Sequence, residues 1–167
     1  MPDLFNNLHR DFLLKIDQRD RYHVRFPPIE MFITRVTERF IRYVLHRIDR
    51  EKRRHPLYEP TPPLVAVADR AHTIIDRTFT SGEGWLIPGE ILHQAEHGVS
   101  SFLILQPFGC LPNHVTGRGL VKAIKEERPD IQVLPLDYDP DTSFANVENR
   151  LQMLIITARE RHRAEAS

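Results

Sequence analysis

The residues best suited to chemistry lie in one loop, 106–114, where the only cysteine of the sequence is followed by an asparagine and a histidine. The loop follows an apolar run of strand length, residues 102–105, and precedes a predicted helix. Ligands in α/β proteins bind where a strand gives way to a helix, because loop and helix amides converge there. Cys110, Asn113 and His114 are therefore the first candidates for a binding site or a reactive thiol.

Three interpretations of Cys110 are open from the residues alone. The side chain is a small buried hydrophobic group, as unpaired cysteines often are; or it is a reactive thiolate stabilised by the helix N-terminus and by His114, as in a small hydrolase or transferase; or it is a ligand of a metal or cluster. A single cysteine cannot enclose an iron–sulfur cluster, so the ligand interpretation requires sulfur atoms from outside this sequence.

A second polar segment, Asp137 to Asp139, follows the next apolar run at residues 131–136. If the two runs are parallel strands, the loops after them leave the sheet at the same edge. The sequence therefore predicts that Cys110, Asn113 and His114 face the acidic segment across one crevice. Two carboxylates there suit a cation or a general base, and they equally suit helix capping.

Glycine and histidine motifs elsewhere give weaker signals. Gly117 and Gly119 open the predicted helix after the cysteine loop and would allow a ligand or another backbone to approach closely. Their spacing does not match the dinucleotide fingerprint, so no such site is assigned. His93 and His97 have the H-x-x-E-H spacing of a zinc motif, but no third ligand is evident, and the dipole of a helix C-terminus also favours histidine there.

The elements that position these residues predict an α/β fold in which a parallel βαβα unit is preceded by an α-helical segment. We expect a helical segment at 1–55, with Arg35, Arg39 and other arginines on a solvated face opposite its apolar face. A linker at 56–63 contains four prolines. The α/β domain is expected at 64–167. Its predicted helices are 88–97, 115–128 and 144–163, and its predicted strands are 102–105 and 131–136. Residues 64–75 indicate another helix, and the alternative is a strand at 64–68.

Composition excludes several classes of protein. Lys plus Arg and Asp plus Glu both number 23, so the formal net charge is zero and a dedicated nucleic-acid binder is not expected. No apolar run approaches the roughly 20 residues that span a bilayer, and no signal peptide is readable. We therefore expect a cytoplasmic protein without an internal disulfide bond.

A set of motifs in residues 82–154 resembles a known family, the activase-type proteins related to the 2-hydroxyacyl-CoA dehydratases (the 2-hydroxyglutaryl-CoA dehydratase activator group). The similarity covers under half of the chain, and the first 60 residues have no comparable match. The matching motifs, in order, are Gly82-Glu83-Gly84-Trp85-Leu86, Gln106-Pro107-Phe108-Gly109-Cys110-Leu111-Pro112-Asn113-His114, Gly117-Arg118-Gly119 and Asp137-Tyr138-Asp139-Pro140, followed by Asn146, Asn149 and Arg150.

The resemblance implies a fold and a function. Relatives join an ATPase activator module to a dehydratase-like module, whose flavodoxin-like subdomains hold an iron–sulfur cluster through cysteines, and they deliver single electrons at low potential. It implies that Cys110 is a cluster ligand and that Asn113 and His114 surround it. From the crevice geometry, we expect Gly117, Gly119, Asp137 and Asp139 to complete the cofactor-binding set.

The chain also departs from the family pattern. The usual Asp-Pro-Gly-Ala-Ser is Asp139-Pro140-Asp141-Thr142-Ser143 here, no second cysteine is present, and no ATPase signature is present. We therefore expect a fragment or shortened relative that binds no cluster and hydrolyses no ATP by itself, and we assign no catalytic residue. The expected partners are other domains of the parent protein or a separate activator or dehydratase. The alternative is a non-catalytic assembly module that forms a homodimer or docks a partner.

Overall fold

A computed structural model describes residues 2–56, 58, 60, 62–79, 82–138 and 144–165, with side chains from residue 10 onward. The fold is mixed α/β, and the chain divides into two compact units, Met1–Ala68 and Asp69–Ser167. The elements in chain order are α1 (Pro2–Tyr22), α2 (Pro28–Lys52), α3 (Leu64–Ala71), α4 (Leu86–Glu96), β1 (Ser101–Pro107), a π-helical segment (Asn113–Arg118), α5 (Val121–Glu127), β2 (Gln132–Tyr138) and α6 (Phe144–Glu165).

The first unit is built on the packed pair α1 and α2. Proline fits the first turn of a helix because the amide it lacks would have no partner there, and α2 begins at Pro28. An ion pair between Lys15 and Glu30, 2.8 Å, joins the two helices. The face of α2 turned towards α1 buries Ile41 and Glu38. The apolar face expected from the sequence is a different one, and it is exposed to solvent over most of its length.

Residues 64–71 form a helix, α3, so the alternative of a strand at 64–68 is wrong. Within the predicted linker, residues 57, 59 and 61 lie outside the described part of the chain.

The second unit contains a parallel sheet of β1 and β2, in register from Ser101 opposite Gln132 to Pro107 opposite Tyr138. A buried cluster covers one face of this sheet, which we call the inner face. Its members come from α4, β1, α5 and β2 or the turn before it: Ile91, Leu92, Ala95, Ile104, Ile124, Ile131 and Val133. This cluster fixes β1 and β2 relative to each other and so fixes the loops that leave their carboxyl ends.

The opposite, outer face of the sheet is only partly covered. The α6 helix lies along β2, where Arg150 donates to the carbonyl of Pro135 (2.6 Å) and Gln132 donates to that of Leu154 (3.1 Å). On β1, Leu103 and Leu105 remain 40% and 56% exposed. The apolar run at 102–105 predicted a strand covered on both faces, and that expectation is wrong for the outer face.

Two boundaries near the candidate site differ from the sequence prediction. Helical structure begins at Leu111 rather than at residue 115, becomes π-helical over Asn113–Arg118, and resumes as α5 at Val121. The β2 strand continues to Tyr138, so Asp137 lies in the strand and not in the loop after it. Among the described residues, no helix combines the length and apolar character needed to cross a membrane.

Candidate functional site

Cys110 lies just beyond the carboxyl end of β1, at the start of the helical segment. A tight turn brings it there: its amide donates to the carbonyl of Pro107 (3.1 Å), and Gly109 takes a φ of +69°, which favours glycine. The carbonyl of Cys110 accepts from the amide of His114 (3.1 Å), which is the first hydrogen bond of the helix that follows. Cys110 is half-buried, so its sulfur is neither sealed in the core nor fully in solvent.

Asn113 links the sulfur to the strand. Its Nδ2 donates to Sγ of Cys110 at 3.0 Å, and its backbone carbonyl accepts from Nε2 of Gln106 at 2.7 Å. Gln106 is completely buried, and its Oε1 has no hydrogen-bond partner among the described residues. Burying an amide oxygen without a hydrogen-bond partner costs free energy. The bond from Nε2 to Asn113 is therefore the structural contribution of Gln106 at this position. Gln106 therefore fixes the backbone of Asn113, and Asn113 holds the sulfur.

His114 and Asp137 come together as the parallel topology predicts. Nδ1 of His114 donates to the carbonyl oxygen of Cys110 (2.8 Å), and its Nε2 lies 3.9 Å from Oδ1 of Asp137. Arg118 also reaches Asp137, with Nη1 3.2 Å from Oδ2. The carboxylate is thus shared between a cation and an imidazole, at a rim where all three side chains are partly exposed.

The remaining acid of the predicted set, Asp139, lies outside the described residues, so its membership of the site stays a prediction. Its neighbour Tyr138 ends β2 and is 72% exposed.

Gly117 and Gly119 serve packing in this structure. A Cβ on Gly117 would come within 3.2 Å of Cγ2 of Ile104, so the π-helical segment lies so close to β1 that an added side chain would require Ile104 to shift. A Cβ on Gly119 would collide with the carbonyl oxygen of Val115. Any further role of these glycines in binding a cofactor stays a prediction.

Three neighbours of the site were not singled out by sequence reasoning. Gln106 carries a recognisable signal, since it is the one polar residue in the apolar run that ends β1. Arg118 lies between two glycines, and nothing in its sequence context indicates its pairing with Asp137. Gly82, with φ +58°, packs so closely on Pro112 that a Cβ would come within 2.5 Å of its ring. The Gly82 turn thus supports the start of the helical segment beside Cys110.

The H-x-x-E-H motif at the end of α4 does not form a metal site with the other described residues. The rings of His93 and His97 lie 4.5 Å apart, but Glu96 is paired with Arg70 at 2.8 Å. No group of three or more potential metal-ligating side chains occurs among the described residues.

The contacts around Cys110 distinguish a nucleophile role from a ligand role. A Cys–His nucleophile has an imidazole nitrogen beside its sulfur to act as base. The contacts of His114 are instead to a backbone carbonyl and to Asp137. A ligand role needs a rigid, accessible sulfur with hydrogen-bond donors around it, and Asn113 supplies such a donor.

Comparisons with known proteins identify no relative: no family model, no curated protein and no solved structure matches the chain.

Proposed function

We propose that this chain is the C-terminal α/β portion of an iron–sulfur protein of the 2-hydroxyacyl-CoA dehydratase activase type, in which it supplies one thiolate, Cys110, and closes one side of the cluster site. The proposal rests on the ordered motif set of residues 82–154 and includes a cytoplasmic location and a flavodoxin-like parent domain. The observation that carries it is the half-buried sulfur of Cys110, held by Asn113 at 3.0 Å beyond the carboxyl end of β1.

The sequence can supply one thiolate ligand to an iron–sulfur cluster, through Cys110. A thiolate that accepts an amide N–H bond is a common arrangement around iron–sulfur clusters, where such bonds tune the reduction potential. The sequence contains one cysteine, so the remaining thiolates have to come from outside residues 1–167. When bound, the cluster would supply single-electron transfer at low potential.

The residues around Cys110 have separable tasks under this proposal. Asn113 orients the sulfur through its Nδ2, and Gln106 fixes Asn113 through the 2.7 Å bond to its carbonyl. The pair of Arg118 and Asp137 forms the polar wall of the site at 3.2 Å. His114, tied to the carbonyl of Cys110, keeps the loop closed.

Iron analysis tests the proposal directly. The longest natural reading frame that contains this sequence is purified without oxygen as wild type and as Cys110→Ser. We expect the serine variant to lose most of its iron and acid-labile sulfide, because cluster assembly requires each thiolate ligand. Leu111→Ser is the matched control, since it changes the adjacent exposed residue of the same loop and leaves the sulfur in place. Iron content that is the same in all three proteins would rule out the ligand role.

A second variant examines the support of the sulfur. Asn113→Ala removes the bond to Sγ and retains the ligand itself, so we expect near-normal iron content with a shifted midpoint potential. If Asn113→Ala and wild type have the same potential, Asn113 has no part in the site.

A further inference from the structure

An exposed apolar seam runs straight along α2. Its members are separated by four, three, four and three residues, and each is 53–65% exposed: Ile29, Ile33, Val36, Phe40 and Tyr43. Phe32, 64% exposed, lies beside them. A contiguous apolar surface of this kind marks an interaction site, whereas scattered exposed side chains do not. The alternating spacing is that of helices packed side by side.

The α1 helix does not cover this seam. The buried residues of α2, Glu38 and Ile41, lie on the side of the helix away from the seam. Lys15 of α1 meets α2 at Glu30, beside the seam and not on it. The seam therefore has room for another helix along about four turns.

We propose that a second copy of this chain occupies the seam, with the two α2 helices antiparallel about a two-fold axis near Val36. The seam is aliphatic towards the N-terminus of α2 and aromatic towards its C-terminus. Antiparallel pairing places Ile33 opposite the partner's Phe40 and Ile29 opposite the partner's Tyr43. Each large ring then meets a smaller side chain, and the small Val36 meets the partner's Val36 on the axis. A symmetric pair of this kind is a closed, self-complementary interface.

The charges favour the antiparallel direction. Arg47 continues the seam after Tyr43, so a parallel pair would place Arg47 against the partner's Arg47 within the interface. In the antiparallel pair, Phe32 lies beside the partner's Arg39. Among the described residues no carboxylate pairs with Arg39, so its guanidinium is available to stack on that ring.

The area is sufficient for a dimer. Large side chains more than half exposed offer on the order of 100 Å² each. Covering six of them on both copies buries on the order of 1,000 Å², which lies at the lower bound for a specific interface.

Sedimentation velocity on the 167-residue chain provides the first test, with the concentration varied around the micromolar range. We expect a mass of two chains for wild type and of one chain for Val36→Glu, with the dissociation constant rising about 100-fold or more, because two carboxylates would be buried together on the axis. Ile156→Glu on α6 is the control: its side chain is exposed to the same 53% as Val36 but lies outside the seam. A monomeric wild type, as expected when a helix of a longer polypeptide covers the seam, or a dimeric Val36→Glu would overturn the proposal.

Disulfide trapping in a Cys110→Ser background tests the direction of packing without disturbing the fold. Under mild oxidation, Val36→Cys is expected to form covalent dimers, because only residues near the axis bring their own copies within bonding range. Ile29→Cys alone should not cross-link, whereas an equimolar mixture of Ile29→Cys and Tyr43→Cys should. Cross-linking of Ile29→Cys alone would indicate parallel helices and would contradict the proposed geometry.

Discussion

The α/β unit buries mainly aliphatic side chains, whereas the α1–α2 pair buries charged side chains beside Ile41. In the α/β unit, the inner face of the sheet is closed by aliphatic residues such as Ile124, which is completely buried. In the α1–α2 pair, the buried described side chains include Arg10 and Glu38, while Phe40 remains 62% exposed. The first arrangement stabilises itself by removing apolar surface from water, and the second leaves that surface available.

This contrast bears on where function and assembly lie. The loop that holds Cys110 is anchored to the core of the α/β unit through β1, and the hydrogen bonds and ion pair described for the candidate site all lie within that unit. The helical pair carries an apolar seam that only association can bury. The candidate site and the assembly surface are therefore separate regions that can be tested independently.

Truncating one apolar side chain in each region tests this contrast in burial. Ile124→Ala leaves a cavity in the closed core and is expected to lower the free energy of unfolding by about 2–4 kcal/mol. Phe40→Ala removes a side chain that is mostly in solvent, and in dilute, monomeric protein it should cost less than about 0.5 kcal/mol. Urea unfolding, with hydrogen exchange to assign the loss to a unit, provides the measurement. An equal cost for the two variants in the monomer would show that Phe40 is not exposed in solution.

Several elements of the α/β unit were predictable because their signals are local. The uncharged run at 102–105 and the apolar run at 131–136 each indicate a strand, and parallel connection follows from the helix between them. In the helical pair, Pro28 is likewise a local signal for the first turn of α2, because a proline has no amide to leave unpaired there. The approach of His114 to Asp137 then follows from topology, since His114 follows β1 and Asp137 lies near the carboxyl end of β2, the neighbouring parallel strand.

Other features depend on contacts that a sequence does not display. The π-helical segment has no periodic signature, and its fit depends on Gly117 lying against Ile104. The exposure of Leu105 was missed because an apolar strand looks the same whether one or both of its faces are covered. The role of Gln106 depends on the reach of its amide across a turn to Asn113, which spacing does not reveal.

Arg10, a buried arginine of α1, provides a second test of the contrast, within the helical pair. Nε and Nη1 of Arg10 are buried with no hydrogen-bond partner among the described residues, and the bond of its Nη2 to Asp11 is long at 3.4 Å. Burying a cation with so little compensation is unfavourable. Arg10→Met keeps the packing of the aliphatic stem, so we expect it to stabilise the chain by about 1 kcal/mol.

Arg19→Met is the appropriate comparison for that variant, because Arg19 is on the same helix with a side chain 57% exposed. Its effect should be within about 0.5 kcal/mol of zero. Thermal unfolding of the two variants beside wild type gives the result. A destabilising Arg10→Met would show that the guanidinium has a partner in solution.

The smallest expected effect comes from pH, and it should act on the α/β unit. Burial, followed by the positive charge of His97, lowers the pKa of His93 on α4 below its usual 6.5, with Glu96 opposing and Arg70 adding to the effect. The unfolded chain therefore takes up a proton at His93 before the folded chain does, and stability is lost as pH falls from about 6.5 towards the lower, folded-state pKa. His93→Gln should flatten this part of the pH profile, and His97→Gln should reduce its slope because one of the two causes is removed. Hydrogen exchange at pH 7.5 and 5.5 is expected to show the loss of protection in α4 and β1; loss confined to α2 would mean that the pH sensitivity belongs to the helical pair instead.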